Sequence, residues 1–94
     1  MPIKFNAVAY FNRPVAGRHR LASTDQGMES VFAETPEAAA RMWFWRLGAA
    51  ERSAVERVII WPPMPNRVIA AYEGPTIVYR RQERNLIEIE RREE

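Results

Sequence analysis

The sequence contains no cysteine, and this absence removes several kinds of chemistry at once. Disulfide bonds, thiolate nucleophiles and cysteine-ligated metal sites are excluded, and folding cannot depend on an oxidising compartment. A cytoplasmic location is therefore expected. The N-terminal stretch has no uninterrupted apolar run of signal-peptide length, and apolar runs such as residues 58–63 are far shorter than a membrane span. We therefore expect neither export by such a signal nor insertion into a membrane.

Residues that carry catalytic chemistry are also scarce. His19 is the single histidine, and it lies between two arginines that oppose its protonation, with no acidic residue nearby in sequence to orient it. One histidine and scattered glutamates give no recognised metal-ligand spacing, so no metal site is expected. The four glycines are isolated from one another and form no phosphate-binding loop, so no cofactor is expected. These shortages predict a protein that is not an enzyme.

The length and composition predict one small folded domain spanning residues 1–94. A chain of 94 residues has room for one sheet and one main helix, and it buries only a small core. Its hydrophobic content of 47% and aromatic content of 11% are typical of a globular protein rather than of a disordered segment. No internal repeat or interior domain boundary interrupts the chain.

The best-signalled element is a helix over residues 36–48. Thr35 has the side chain of an N-cap, Pro36 suits the first helical position, and Glu37 places negative charge near the positive end of the helix dipole. Gly48 is expected to close the helix in the left-handed conformation after Leu47. This stretch should organise the rest of the fold.

The predicted helix has two apolar sides, although one sheet can cover only one of them. At 100° per residue, one group gathers on a single side, which we assign to the sheet. Its members are Ala39, Ala40, Trp43, Phe44 and Leu47. Ala38, Met42 and Trp45 gather on roughly the opposite side, flanked by Arg41. Either another part of this chain or a partner must cover that second side, or it stays exposed.

Strand patterns surround the helix. Residues 3–11 alternate between apolar and mixed positions, which predicts a strand with Ile3, Phe5, Ala7, Ala9 and Phe11 in the core. Further strands are predicted over residues 28–34, 55–61, 67–73, 76–81 and 86–90, with a hairpin at Gly74-Pro75 joining two of them. Residues 49–53 read as a connection, and residues 12–27 as a long polar loop with a short strand around 18–23.

Two of these assignments have competitors. Ser53 with Glu56 could form a capping box, which favours a short helix in place of the start of the strand over 55–61. The segment 80–94 lacks glycine and proline, so a charged helix competes with an edge strand there. We prefer the strands. The predicted fold class is α+β, a mostly antiparallel sheet of four or five strands packed on the main helix.

The second side of the helix has the composition of a protein-binding surface. Tryptophan, methionine and arginine are enriched where partners dock, and Arg41, Met42, Trp45 and Arg46 lie together there. Trp61, beside three prolines, forms a second candidate contact. An equally weighted alternative is that the C-terminal segment or residues 62–65 of this chain cover that side of the helix.

We therefore predict a non-catalytic protein-interaction domain that either occupies a surface of a larger partner or self-associates. A small charged chain without catalytic residues suits a bacterial or phage inhibitor or adaptor. An anti-CRISPR-like antagonist of a host defence complex is one concrete version, offered by analogy only.

The alternative function is nucleic-acid binding. No acidic residue precedes Asp25, while the long loop carries Arg13, Arg18, His19 and Arg20 just after the aromatic pair at positions 10–11. A second basic group, Arg80, Arg81 and Arg84, follows Tyr79. Basic groups interleaved with aromatic rings are what phosphate neutralisation and base stacking require.

Overall fold

A computed structural model of the chain describes residues 2–12, 29–65 and 67–92. Within these ranges the chain forms five strands and two helices. They are β1 (Ile3–Phe11), β2 (Glu29–Ala33), α1 (Pro36–Arg46), α2 (Ala49–Ala54), β3 (Val55–Trp61), β4 (Thr76–Gln82) and β5 (Asn85–Arg92). The short strand that the sequence suggested around residues 18–23 lies outside the described residues.

The five strands form one sheet in the order β2-β1-β3-β4-β5, and every pair of neighbouring strands is antiparallel. This is the α+β architecture predicted from the sequence, with five strands. Strand β1 occupies the expected residues because its alternating pattern places five apolar side chains on one face. Strands β2 and β5 form the two edges of the sheet.

The core lies between α1 and one face of the sheet. From α1 it includes Ala39, Ala40, Trp43, Phe44 and the following Leu47, as predicted. From the sheet it includes Phe5, Ala7, Ala9, Phe11, Val31, Ala33, Val58, Ile60, Ile77, Tyr79 and Leu86. Trp43 is the largest fully buried side chain, with 1% of its surface exposed. The period of 3.6 in α1 and of two in the strands is therefore what builds this core.

Helix α1 begins as predicted but ends differently. The Thr35 hydroxyl oxygen accepts a hydrogen bond from the Ala38 N–H at 3.1 Å, which satisfies one of the free donors of the first turn. At the other end Leu47 is the capping residue, and its N–H donates to the Phe44 carbonyl at 3.2 Å. Gly48 has a φ of −67° and not the left-handed conformation expected for it.

Residues 49–53, predicted as a connection, belong to the short helix α2. Gly48 precedes this helix in extended conformation, and its N–H donates to the Glu51 carboxylate at 3.3 Å. The Arg52 guanidinium then donates back to the carbonyl oxygens of Trp45, at 3.4 Å, and Leu47, which α1 leaves unsatisfied. Helix α2 therefore follows α1 directly, and its Arg52 donates to carbonyl oxygens at the end of α1 that have no donor within that helix.

The hairpin predicted at Gly74-Pro75 is wrong. Residues 67–73 form no strand, and Ala71 instead makes a single parallel bridge to Lys4. The Lys4 N–H donates to the Ala70 carbonyl, and the Tyr72 N–H donates to the Lys4 carbonyl, both at 2.9 Å. Strand β3 ends opposite Asn6, so the segment satisfies backbone groups of β1 that β3 does not reach.

Tyr72 anchors this segment in the core. Its ring lies 4.7 Å from that of Phe5 between centroids, and its hydroxyl donates to the Pro75 carbonyl at 2.7 Å. Thus Gly74-Pro75 bends the chain around Tyr72 rather than reversing it between two paired strands.

The C-terminal segment is the predicted edge strand and not a helix. Strand β5 pairs with β4 along its length. The first pair, Gln82 with Asn85, closes a two-residue turn, and the last pair joins Thr76 to Arg92. Glu83 in that turn has a φ of 58°, the left-handed conformation that such tight hairpins require. Its sequence, Glu83-Arg84, lacks the glycine or asparagine that usually signals this turn, which is why the sequence did not reveal it.

The second face of the sheet, opposite α1, is here called the open face, because no helix among the described residues packs on it. At its centre Val8 and Val78 are 2% exposed and lie apart from the main core cluster. By register the face carries Lys4, Asn6, Val8, Tyr10, Phe32, Arg57, Ile59, Trp61, Thr76, Val78, Arg80, Ile87, Glu90 and Arg92.

Candidate protein interface

The outer side of α1 is exposed in the folded chain. Met42 has 44% and Trp45 has 56% of its surface exposed, and Arg41 and Arg46 beside them are also exposed. Their positions follow from the helical period, because burying Trp43 and Phe44 on the sheet leaves residues 41, 42, 45 and 46 on the outer side of α1. We call these four residues, Arg41, Met42, Trp45 and Arg46, the Trp45 surface. Neither β5 nor residues 62–65 cover it.

Trp45 is held in place although it is exposed. The Arg52 guanidinium carbon lies 4.9 Å from the centroid of the indole ring, within the range of a cation–π contact. The Phe44 ring meets the same indole edge to face, at 5.8 Å between centroids. Because Arg52 also donates to the Trp45 carbonyl, one arginine fixes both the backbone and the ring. These contacts favour one orientation of the exposed indole in the free chain.

A cleft of about 410 Å³ opens beside Trp45, between the end of α1, helix α2 and the β4–β5 turn. It is lined by Phe44, Trp45, Ala49, Arg52, Ser53, Arg81, Glu83 and Arg84. The cleft extends the Trp45 surface towards the hairpin and adds two basic side chains. Arg52 was not singled out from the sequence, and Arg84 was assigned there to the second basic group of the nucleic-acid alternative. Their proximity to Trp45 depends on the return of α2 and on the turn at Glu83, neither of which the sequence signalled.

Arg81 builds one wall of this cleft and holds three chain segments together. Its Nε donates to the Val55 carbonyl at 2.8 Å, and its two Nη atoms donate to the carbonyls of Glu83 at 2.8 Å and Ser53 at 3.0 Å. The planar guanidinium suits this task, because its donors point in fixed directions. Arg81 thus ties α2, β3 and the β4–β5 turn to one another, and its donors are engaged in the fold.

The charge of the Trp45 surface is predominantly positive. Arg41 pairs with Glu37 at 2.9 Å, an exposed pair one helical turn apart that stabilises α1 by only a few tenths of a kcal/mol. Arg46 and Arg84 form no ion pair with any described residue. Arg46, next to Trp45 in α1, and Arg84, in the same cleft, therefore place positive charge near the exposed indole, and neither is in an ion pair within the described part of the chain.

The other predicted contact residues lie elsewhere. Trp61 belongs to the open face, since its neighbour Ile60 points into the core. Arg80 also lies on the open face, whereas Arg81 points to the opposite side, so the second basic group predicted from the sequence is divided by the sheet. Arg13, Arg18, His19 and Arg20 lie outside the described residues.

A buried tyrosine gives stability a dependence on alkaline pH. Burial raises the pKa of Tyr79 from 10.0 to about 12, and the charge of nearby Glu88 adds to the effect. Arg91 donates to both Glu88 oxygens, at 3.2 and 2.9 Å, and these bonds lower the pKa of that carboxyl group, which keeps it charged. An ionised Tyr79 would thus lie buried beside a carboxylate.

We expect the free energy of unfolding to fall as pH rises from about 10 to 12, by about 2–3 kcal/mol in total. In this window the phenol of Tyr79 is ionised in the unfolded chain but still protonated in the folded chain. The unfolded state is therefore stabilised relative to the folded state as the pH rises. Below pH 10 this contribution is fully present. Urea denaturation across this pH range measures the loss, and Tyr79→Phe should show a shallower decline. An equally steep decline in Tyr79→Phe would contradict the assignment.

Among the described residues, no three histidine, aspartate or glutamate side chains are grouped closely enough to hold a metal ion. No helix in the described part of the chain is long and apolar enough to cross a membrane. Comparison of the chain with protein-family models, curated proteins and solved structures gives no match.

Proposed function

We propose that this chain is a non-catalytic interaction domain that binds an acidic surface of a larger protein through the Trp45 surface. The observation that carries the proposal is an exposed tryptophan whose position the fold already fixes. A tryptophan with 56% of its surface exposed leaves a large apolar area in water. The domain would then act by occupancy, as an inhibitor or adaptor.

The composition of the surface favours a protein partner. Tryptophan and arginine are the residue types that most often dominate the binding energy of protein interfaces, and methionine adapts its shape to an irregular partner. Met42 lies one turn before Trp45 and Arg46, so the three side chains form one continuous stripe. The adjoining cleft can accept a side chain that projects from the partner.

The order of Trp45 lowers the cost of binding. Interfaces lose free energy when rotamer-rich side chains must be immobilised, by roughly 0.5–1.5 kcal/mol for each one. The contacts with Arg52 and Phe44 already restrict the indole in the free protein. Burying the ring against a partner therefore costs less side-chain conformational entropy than burying an unrestrained tryptophan would.

The charge of the surface determines which kind of partner fits. Arg46 and Arg84 lie near Trp45 and form no ion pair with any residue that the structure describes, so an acidic surface is complementary and a basic one is repelled. Two copies of the Trp45 surface would bring these arginines together, which disfavours self-association through it.

We expect Trp45→Ala to weaken binding to the cognate partner by about 30-fold or more, which corresponds to about 2 kcal/mol. The matched control is Trp61→Ala, which removes the same ring from the opposite face of the sheet. Immobilised wild type and both variants are exposed to lysate of the source organism, and the retained proteins are identified. The affinity of each purified candidate is then measured by calorimetry at two salt concentrations.

Three results together would support the proposal. A retained protein should have an acidic surface, should bind Trp61→Ala like wild type, and should lose affinity for Trp45→Ala while that variant remains folded. Arg46→Glu should slow its association, most strongly at low salt. Equal binding to wild type and Trp45→Ala would overturn the proposal. A dimer seen by sedimentation and abolished by Trp45→Ala would replace the acidic partner with a second copy.

A further inference from the structure

The open face of the sheet combines aromatic rings with positive charge, on the side opposite the Trp45 surface. Phe32, Tyr10 and Trp61 come from the adjacent strands β2, β1 and β3. Phe32 has 44% of its surface exposed, and the other two are partly exposed. Exposed rings on one face of an antiparallel sheet are the arrangement with which several single-strand-binding domains stack bases.

The register spreads these rings over the face instead of clustering them. Trp61 lies opposite Asn6, and Tyr10 lies four residues further along β1. At about 3.4 Å per residue these two rings are separated by roughly 14 Å along the strands. Val8, which is buried, and Ile59, which is partly exposed, lie between them along the strands. An extended chain with several separated flat groups fits this spacing better than one compact side chain does.

Basic side chains flank the rings. Arg57 and Arg80 are paired across β3 and β4, and Lys4 pairs with Phe32 across β1 and β2. Lys4 and Arg80 form no ion pair with any described residue. The Arg57 guanidinium carbon lies 5.5 Å from the centroid of the Tyr10 ring, which is within the range of a cation–π contact.

Acidic groups only partly offset this charge. Glu90 lies on the face but pairs with Arg92, and Glu56 lies 3.9 Å from Arg57, beyond hydrogen-bonding distance. Glu73 lines a shallow cleft near Trp61. The centre of the face, around Arg57 and Arg80, therefore remains positive.

From this juxtaposition we infer that the open face binds single-stranded nucleic acid. Tyr10 and Trp61 stack on bases, and Lys4, Arg57 and Arg80 neutralise phosphates. A duplex cannot make the same contacts, because its bases are already stacked on one another and their faces are not accessible. The inference does not depend on the Trp45 surface, which lies on the other side of the sheet.

The test uses the full chain and fluorescein-labelled oligo(dT) and oligo(U) of about 15 nucleotides, a length within the site sizes of single-strand-binding domains. Fluorescence anisotropy measures affinity over a series of salt concentrations. Tyr10→Leu and Trp61→Leu should each lower affinity about 5- to 140-fold, the range expected for the loss of one stacked base. A duplex of equal length should bind more weakly than the single strand.

Charge is tested with two double variants that remove the same number of arginines. Arg57→Gln with Arg80→Gln should weaken binding and reduce the slope of log affinity against log salt by about 1.4. Arg46→Gln with Arg84→Gln, on the opposite side of the sheet, should leave the affinity and the salt slope nearly unchanged. Circular dichroism establishes that each variant is folded, and if Tyr10→Leu unfolds, Trp61→Leu and the charge variants still decide the question.

Several results would overturn the inference. Absence of salt-dependent binding to either oligonucleotide would do so. Equal losses in the two double variants would show diffuse charge attraction instead of a site. Heparin has negative charge but no bases, so unchanged binding by Tyr10→Leu together with full displacement by heparin would identify the face as a general polyanion or acidic-protein surface.

Discussion

Replacing Trp43 with alanine should lower the free energy of unfolding by about 3–5 kcal/mol, the usual cost of removing a large aromatic side chain from a core. Trp43 is 1% exposed and belongs to the cluster that joins α1 to the sheet. The total stability of a domain of this size is about 5–10 kcal/mol, so the variant should lose much of it. Urea denaturation followed by circular dichroism measures the change.

Trp45→Ala is the matched control, because the two tryptophans lie two residues apart on the same helix. Trp45 is 56% exposed, so its removal should change the free energy of unfolding by less than about 1 kcal/mol. Comparable destabilisation by both substitutions would mean that Trp45 contributes to the core, and it would remove the basis for a binding role.

Replacing Arg81 with methionine should lower the free energy of unfolding by about 2–4 kcal/mol, since hydrogen bonds from a charged donor contribute about 1.5–3 kcal/mol each and these are partly exposed. Methionine keeps most of the side-chain length but leaves three carbonyl oxygens without their donor. Because Arg81 connects α2, β3 and the β4–β5 turn, hydrogen exchange should also accelerate in all three. Urea denaturation and hydrogen-exchange mass spectrometry measure the two effects.

Arg80→Met provides the comparison for Arg81→Met, because it removes the same charge from the adjacent residue. Arg80 makes no ion pair with a described residue, so the free energy of unfolding should change by less than about 0.5 kcal/mol. Arg81→Lys should recover only part of the stability, since an ammonium group cannot donate in the directions of the guanidinium fork. Equal losses in the free energy of unfolding for Arg80→Met and Arg81→Met would show that the hydrogen bonds of Arg81 do not stabilise the fold beyond the effect of its charge.

The two proposed surfaces lie on opposite sides of one sheet. The Trp45 surface belongs to the helix that covers one face, and the open face lies on the other side, where none of the described helices packs. A variant at one surface therefore serves as the control for the other, as Trp61→Ala does for Trp45→Ala.

Local patterns in the sequence were sufficient for the elements with strong periodicity. The alternation in residues 3–11 determined β1, and Thr35-Pro36 determined the start of α1. The division of α1 into a Trp43 side and a Trp45 side also followed from its period of 3.6, because that period depends on backbone geometry alone. These features need no knowledge of distant residues.

Contacts between distant residues decided the remainder. Gly74-Pro75 has the composition of a hairpin, but Tyr72 packs on Phe5 and the segment before it pairs with β1 instead. Arg80 and Arg81 are adjacent in sequence, yet the alternation of β4 sends one to the open face and the other to three carbonyl groups. Arg52 reaches Trp45 only because α2 folds back at the end of α1.

The sequence by itself thus determined that α1 has a spare apolar side carrying Met42 and Trp45, because helical period and residue type suffice for that conclusion. Whether this chain covers that side was decided only by the tertiary structure, since the answer depends on where β5 and residues 62–65 lie. The same is true of the open face, whose rings and arginines come from separate strands and meet only through their register. The strands that carry these groups pair across long stretches of sequence, so the local alternation of each strand does not by itself say which residues become neighbours.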